Sequence, residues 1–438
     1  MGFAFFKWGI LLISIGIVVY LGLKKPNTLI SLLVGVVALD ISETWFPLLE
    51  KLSSQPVFTL ARILSLGIIL SALRRLWIEP KKYQNLKKIL NHFLSRALMI
   101  YITIGAFSIF YSIGRGLTVV EVVRLLTFFL LYLSICLIAE RKYTLFPFRV
   151  VHWVGVALVP LTLYEGMTKH FIWRGYLAVG EIARVNSTFL DPNIFARYLV
   201  LGIVANLILQ IYNVETWKRL TYFMSLLGLI GALAITLSRS GEVTLAIILV
   251  FILLLIPRKQ IAQSIGLMGV IGSIIVAMSP TVQHRLLTFR EGLGALDAQR
   301  KYLGKVAWAM FTDHPIFGVG LGGFEKMFKT YYISYKTVAE GATRSHTTLF
   351  TIAAELGLLG LTALALIWFA LIQILRSLRS LDQNRLDWYI PGVGYFLWIL
   401  TIFISSQSEA RFFEDPVLWV SMGMILRLLF GVENDMKT

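Results

Sequence analysis

Long apolar runs separated by short polar breaks cover most of the chain. They lie at Trp8 to Leu23 and at 28–43, 57–77, 95–113, 118–139, 147–165, 195–212, 219–238, 242–257, 263–279, 347–373, 389–406 and 415–431. A helix rises 1.5 Å per residue and a bilayer core is about 30 Å thick, so about 20 apolar residues make one crossing. The pattern therefore predicts an all-α polytopic membrane protein, a single transmembrane domain over residues 1–438 with about 12–14 spans and thirteen as the best count. Two runs are interrupted, by Arg62 and by Glu121 with Arg124. The first run ends in "KKPN" where a signal peptide would show small residues, which predicts an anchor.

The polar breaks carry a second pattern. Lys24 with Lys25, Arg74 through Lys88, Arg141 with Lys142, Lys218 with Arg219, Arg258 with Lys259, and Arg376 with Arg379 and Arg385 mark every second loop. Short basic loops stay in the cytoplasm, so these predict the inner side, together with a cytoplasmic C-terminus and an outer N-terminus. The loops at 44–56, "GRG", 166–194, "SRSG", 281–346 and 407–414 are then extracytoplasmic.

Composition agrees with this reading: 57% of residues are hydrophobic, 15% are charged, and the mean hydropathy is +0.76. The net charge of +17 would by itself suggest nucleic acid, but its excess lies in the inside loops, and no soluble domain offers a basic face with interleaved aromatics. Nucleic-acid binding is not expected. Cys136 is the only cysteine and sits in an apolar run, so neither a disulfide nor a thiolate metal site can form within the chain.

One polar segment is far longer than the others. Residues 281–346 are too rich in aromatic and aliphatic side chains for a solvated tail, and loops of this length usually carry function. Within it, Tyr302, Val306 and Ala309 recur at helical spacing and predict an amphipathic helix from about Asp297, lying over the mouth of the bundle.

The extracytoplasmic side also collects the candidate chemistry. Arg184 in "RVNSTFLDPN", Arg239 in "TLSRSG", Arg300 in "DAQRKYLGKVAW" and His346 in "TRSHTTLF" all fall there, with Arg344 beside His346. Guanidinium groups suit phosphate oxygens, and a neutral imidazole can take a proton near pH 7. Such a set suits an anion clamp with a base. Taken singly, each residue has a plainer reading: Arg239 snorkelling to the interface, Arg184 paired with Asp191, Arg300 on a solvated helix face, His346 at a helix start. Glu355 lies nine residues past His346, on the opposite face of the same helix, and is read as a structural partner for Arg411 or a backbone amide. Glu242 is read as an acidic residue favoured at a helix N-terminus. No cluster of His, Cys and carboxylates has metal-ligand spacing, and neither metal nor cofactor is expected.

In their order and spacing, "RVNSTFLDPNIFARYL", "TLSRSG", "DHPIFGVGLGGF" and "SHTTLFTIAAELGLLGL" resemble the bacterial O-antigen ligase and O-antigen polymerase superfamily, over roughly residues 180–365. The resemblance implies a class C, RodA-like glycosyltransferase fold in the inner membrane, acting on the periplasmic face. It implies transfer of a glycan from an undecaprenyl-pyrophosphate donor to a hydroxyl of a second glycan or of lipid A core, without metal and with inversion. By the same resemblance, His346 is the base, Arg184, Arg239 and Arg300 hold the pyrophosphate, and Asn193 is a supporting residue. The chain has Thr347 where the family commonly has Asn after the histidine.

Ligase and polymerase share a donor and differ in the acceptor, so the motifs leave both open. Low alanine and high Ile, Leu and Lys content tilts the reading towards a polymerase. A lipid-linked oligosaccharide flippase or other transporter is the alternative, and an envelope scaffold a third. The sequence shows no internal repeat of the kind transporters carry.

Overall fold

The computed structural model describes residues 2–46, 59–80, 82–173, 176–177, 183–212, 215–278, 295–332, 345, 347–381, 388–409 and 412–435. In chain order its helices are α1 (Gly2–Lys24), α2 (Pro26–Val36), α3 (Leu60–Ile78), α4 (Lys82–Asn91), α5 (Phe93–Phe107), α6 (Arg115–Ile138), α7 (Phe146–Thr168) and α8 (Pro192–Tyr212). There follow α9 (Thr216–Ile235), α10 (Arg239–Leu255), α11 (Lys259–Met278), α12 (Ala295–Asp313), the single turn α13 (Phe324–Met327), α14 (Thr348–Leu381), α15 (Tyr389–Ser405) and α16 (Pro416–Asp435).

Each of the thirteen apolar runs contains a helix among the described residues. Among the described residues, seven helices are long and apolar enough to cross a membrane: α1, α5, α6, α7, α8, α9 and α14. In α2, α11, α15 and α16 the apolar stretch is shorter. The protein is thus an all-helical, multi-pass membrane protein. Among the described residues outside the long polar segment, α4 and a short ladder escape the pattern of apolar runs. Helix α4 is amphipathic: it buries Ile89 and exposes Tyr83, Lys87 and Lys88. The two-residue antiparallel ladder pairs Tyr176 with Arg184 and Leu177 with Ala183.

Helix α8 is the axis. It is largely apolar with no distinct polar face, and it is buried continuously from Ile194 to Ile211, as expected of a helix with no solvent or lipid side. Around it pack α7, α9, α10 and α15, and the Trp398 indole of α15 donates to the Leu201 carbonyl at 3.0 Å.

The two ends of the bundle differ in charge. At one end Asn27 and Arg75 meet Glu140, Arg427 donates to the Ala139 carbonyl, and Arg141 covers the Trp388 ring at 4.3 Å. These groups come from breaks that the lysine and arginine pattern assigns to one side. At the opposite end lie the start of α8, the turn before α10 and the start of α14, the breaks assigned to the other side.

The last long run is not one straight helix. Gly357 has φ 61°, and the helical ladder of α14 is interrupted there. The chain segment before α13 fills the gap. Val319 and Gly320 donate to the carbonyls of Ala354 and Glu355, while Leu358 and Leu359 donate to the carbonyls of Pro315 and Ile316. Four groups that the break would orphan are thereby satisfied from another part of the chain. Gly318, φ 67°, sits so close that a Cβ there would lie 2.4 Å from the Glu355 carbonyl carbon.

Helix α12 packs on the first half of α14. It begins at Ala295, and the stripe it buries is Leu303, Val306, Ala307 and Met310, against Phe324, Phe328 and Ala354. The expected face is therefore rotated: Val306 is central, while Tyr302 and Ala309 lie at its half-buried edges. The rest of the long polar segment, 279–294, 333–344 and 346, lies outside the described residues.

Candidate functional site

At the end of the bundle opposite the basic one, the segment from α7 to α8 is held by a buried carboxylate. Glu165, fully buried near the end of α7, accepts hydrogen bonds from the Ile172 and Ser187 amides at 3.1 and 2.9 Å. The short ladder then delivers Arg184. The next turn is pinned to the end of α2: Ile41 donates to the Thr188 carbonyl and Leu190 donates to the Asp40 carboxylate. Asp191 caps α8, its carboxylate accepting from the Asn193 amide at 2.7 Å, with Pro192 in the first helical position.

Asn193 joins the two arginine motifs. Its side-chain oxygen accepts from the Arg184 guanidinium at 2.8 Å and from the Ser238 hydroxyl at 2.8 Å. Ser238 in turn caps α10 by accepting from the Gly241 amide. Leu237 takes a left-handed conformation, φ 54°, to make this turn, a strained state for a bulky residue. Arg239 opens α10 immediately after, half-buried, and Glu242 lies in the first turn as expected. "RVNSTFLDPN" and "TLSRSG", 45 residues apart at this contact, thus form one cluster. Arg184 turns to an amide oxygen, which orients the guanidinium, and Asp191 is occupied as the cap of α8.

One turn beyond Asn193 lies a residue the sequence reading passed over. Arg197 is 5% exposed and pairs with Asp415 at 3.2 Å and Glu409 at 3.6 Å. Its signal was present as an arginine inside the apolar run "NIFARYLV", where a charge is costly unless paired. Glu409 belongs to the turn on which α14 begins: Thr348 donates to the Ser406 carbonyl at 3.2 Å, and the Thr347 hydroxyl to the Gln407 carbonyl at 3.2 Å. Ser345 and Thr347, the neighbours of His346, therefore stand at the same end of the bundle as Asn193 and Arg197. His346 and Arg344 lie outside the described residues, as does Arg411. Arg300 falls within α12, with its side chain outside what is described. Thr347 spends its hydroxyl on the chain itself.

Glu355 serves the backbone. Its carboxylate accepts from the Gly322 amide at 2.9 Å and the Phe324 amide at 3.4 Å, which fixes "GVGLGGF" against α14. This is the amide pairing that its place in the span suggested. The Tyr111 hydroxyl donates to the Phe317 carbonyl at 2.7 Å and steadies the same segment.

Close to Glu355, a cavity of about 70 Å³ is lined by Tyr101, Thr351 and Phe412 and by Arg124, which bridges Glu121 at 3.0 Å and Glu414 at 3.1 Å. The arginine that interrupted the run at 118–139 is thus held by two carboxylates. Among the described residues, no three His, Cys, Asp or Glu side chains are grouped as a metal ion would require.

No curated protein matches the chain. Residues 223–365, which hold Arg239, α12, the segment inserted at the α14 break, and Glu355, match the O-antigen ligase family, and this match supports the resemblance to the O-antigen ligase and polymerase superfamily that the motifs carry.

Proposed function

We propose that the protein is a glycosyltransferase that moves a glycan from an undecaprenyl-pyrophosphate donor to a hydroxyl of a second glycan, at the end of the bundle that carries Arg184, Asn193 and Arg239. The observation that carries the reading is the double hydrogen bond at Asn193, which brings two arginine motifs from separate loops to one place. Positive-inside sorting makes that end extracytoplasmic, since the basic loops gather at the other.

In this reading the acceptor hydroxyl oxygen attacks the anomeric carbon as His346 takes its proton. The bond from that carbon to the pyrophosphate oxygen breaks, its electron pair leaves with the pyrophosphate, and configuration inverts. Arg184, Arg239 and Arg300 stabilise the charge that develops on the leaving group. The buried Arg197–Glu409–Asp415 group and the Glu355 contact hold the neighbouring elements in register. Residues 180–365 form the catalytic region, and no metal takes part.

The test is incubation of the purified protein with an undecaprenyl-pyrophosphate-linked oligosaccharide, alone and with lipid A core, beside Arg239→Ala and His346→Ala. A ladder from donor alone identifies a polymerase, and one shifted acceptor band a ligase. Loss of either in both variants, with activity retained in EDTA, supports the assigned roles. A fully active Arg239→Ala protein would refute the clamp. No product from any donor would return the protein to the flippase reading.

A further inference from the structure

A larger cavity opens at the basic end, far along the bundle from Asn193. It measures about 830 Å³, within the range of small-molecule sites, and is formed between the end of α3, α4, the end of α6 and α16. Arg75, Lys82, Lys87, Lys88 and Arg427 line it, with Glu140 as the acidic lining residue. That carboxylate is already engaged: it takes the Asn27 amide at 3.1 Å, Arg75 at 3.6 Å and Lys142 at 3.2 Å. Lys82 is paired with Glu79 at 3.0 Å. Among the described residues, Lys87, Lys88 and Arg427 meet no carboxylate. Arg427 is oriented by its Nε donating to the Ala139 carbonyl at 2.8 Å.

The surroundings set the depth of this site. Trp77 is 86% exposed and Tyr83 is 68% exposed, on the two helices that flank the cavity, and such rings settle at the level of lipid head groups. Helix α4 lies at the same level, with Ile89 turned into the protein and its lysines outward. Below Trp77, the outward face of α3 presents Leu66, Leu70 and Leu73, all more than half exposed, a surface suited to acyl chains. Leu137 and Phe430 give the cavity an apolar floor.

We infer that this cavity binds the head group of an anionic glycerophospholipid, whose phosphodiester meets Lys87, Lys88 and Arg427 and whose acyl chains run along α3. The site stands apart from the proposed transfer site and does not depend on that reading. Free phosphate shares the head-group chemistry. The apolar floor and the exposed leucines are what select the lipid.

The experiment uses the purified full chain in detergent, titrated with phosphatidylglycerol or phosphatidylcholine of equal chain length and read by native mass spectrometry. Phosphatidylglycerol should be retained in preference. Replacing the exposed pair, Lys87→Gln with Lys88→Gln, should weaken retention by about tenfold or more, and Lys→Arg at both positions should preserve it. Arg427→Gln should weaken it also, and free glycerol phosphate in excess should not compete. Equal retention of the two lipids, or unchanged retention in the glutamine pair, would overturn the inference. Displacement of the lipid by glycerol phosphate at matching concentration would overturn the lipid assignment in favour of a soluble anion.

Discussion

Asn193 accepts two hydrogen bonds through one oxygen, and each comes from a different loop. Removing that oxygen leaves two donors in a half-buried place, which costs about 1–3 kcal/mol for each one left unsatisfied. Asn193→Ala is therefore expected to lower the unfolding temperature modestly and, by letting Arg184 swing away, to cut transfer on the order of a hundredfold. Asn193→Asp keeps an acceptor but puts a carboxylate on Arg184. It should restore stability and not activity, because the added carboxylate competes with the pyrophosphate for the guanidinium. Thermal unfolding in detergent beside the transfer assay separates the two effects, and an Asp variant as active as wild type would show that the charge of Arg184 is not used. Glu355 poses the converse case. Glu355→Gln retains one acceptor oxygen and sets an amide nitrogen near the Gly322 and Phe324 donors, so about 1–3 kcal/mol of stability should be lost. The chemistry itself should be affected only through the seating of "GVGLGGF".

The break in α14 shows how an element can be decided by its partner. A run of this length and apolarity reads as an unbroken helix, and Gly357 reads as one more small residue within it. The inserted segment 315–320 supplies and accepts the hydrogen bonds that the kink removes from the helix. Gly357→Ala faces two penalties: a positive φ that a side chain resists, and a Cβ placed 2.4 Å from the Ile316 carbonyl oxygen. The expected outcome is that the inserted segment dissociates and proteolysis within α12 and α13 speeds up, with the helical signal in circular dichroism little changed. Unaltered proteolysis would mean that the insertion is not held by this geometry. The shift of the α12 stripe has a related cause. Leu303, Ala307 and Met310 are buried because α14 and Phe324 present their surface on that side, and periodicity alone could place the stripe only to within one residue on either side.

For the molecule as a whole, the separation of charge between its ends predicts its orientation. Cys136 is the native cysteine and is buried, so a single engineered cysteine reports cleanly. Lys142→Cys, 68% exposed at its side chain, should react with a membrane-impermeant maleimide only after permeabilisation, whereas Trp308→Cys, at a position 55% exposed, should react in intact cells. The reverse pattern would invert the orientation and place the Asn193 cluster on the cytoplasmic face.

Local pattern determined a good deal by itself. Hydrophobic length and polar punctuation specify where the apolar helices lie, because each crossing must satisfy its own backbone in lipid. The lysine and arginine alternation specifies which loops share an end. The motifs carry the family resemblance, and they singled out Arg184, Arg239 and Asn193 as residues to inspect. Tertiary structure decided what those residues touch. That Asn193 is the junction of two loops, that Arg197 is answered by Glu409 and Asp415 more than 200 residues away, and that lysines of an inside loop help line a cavity with Arg427 all depend on contacts between distant segments. Such contacts follow from how helices pack on α8 and on one another, and the linear order of residues carries no local record of them.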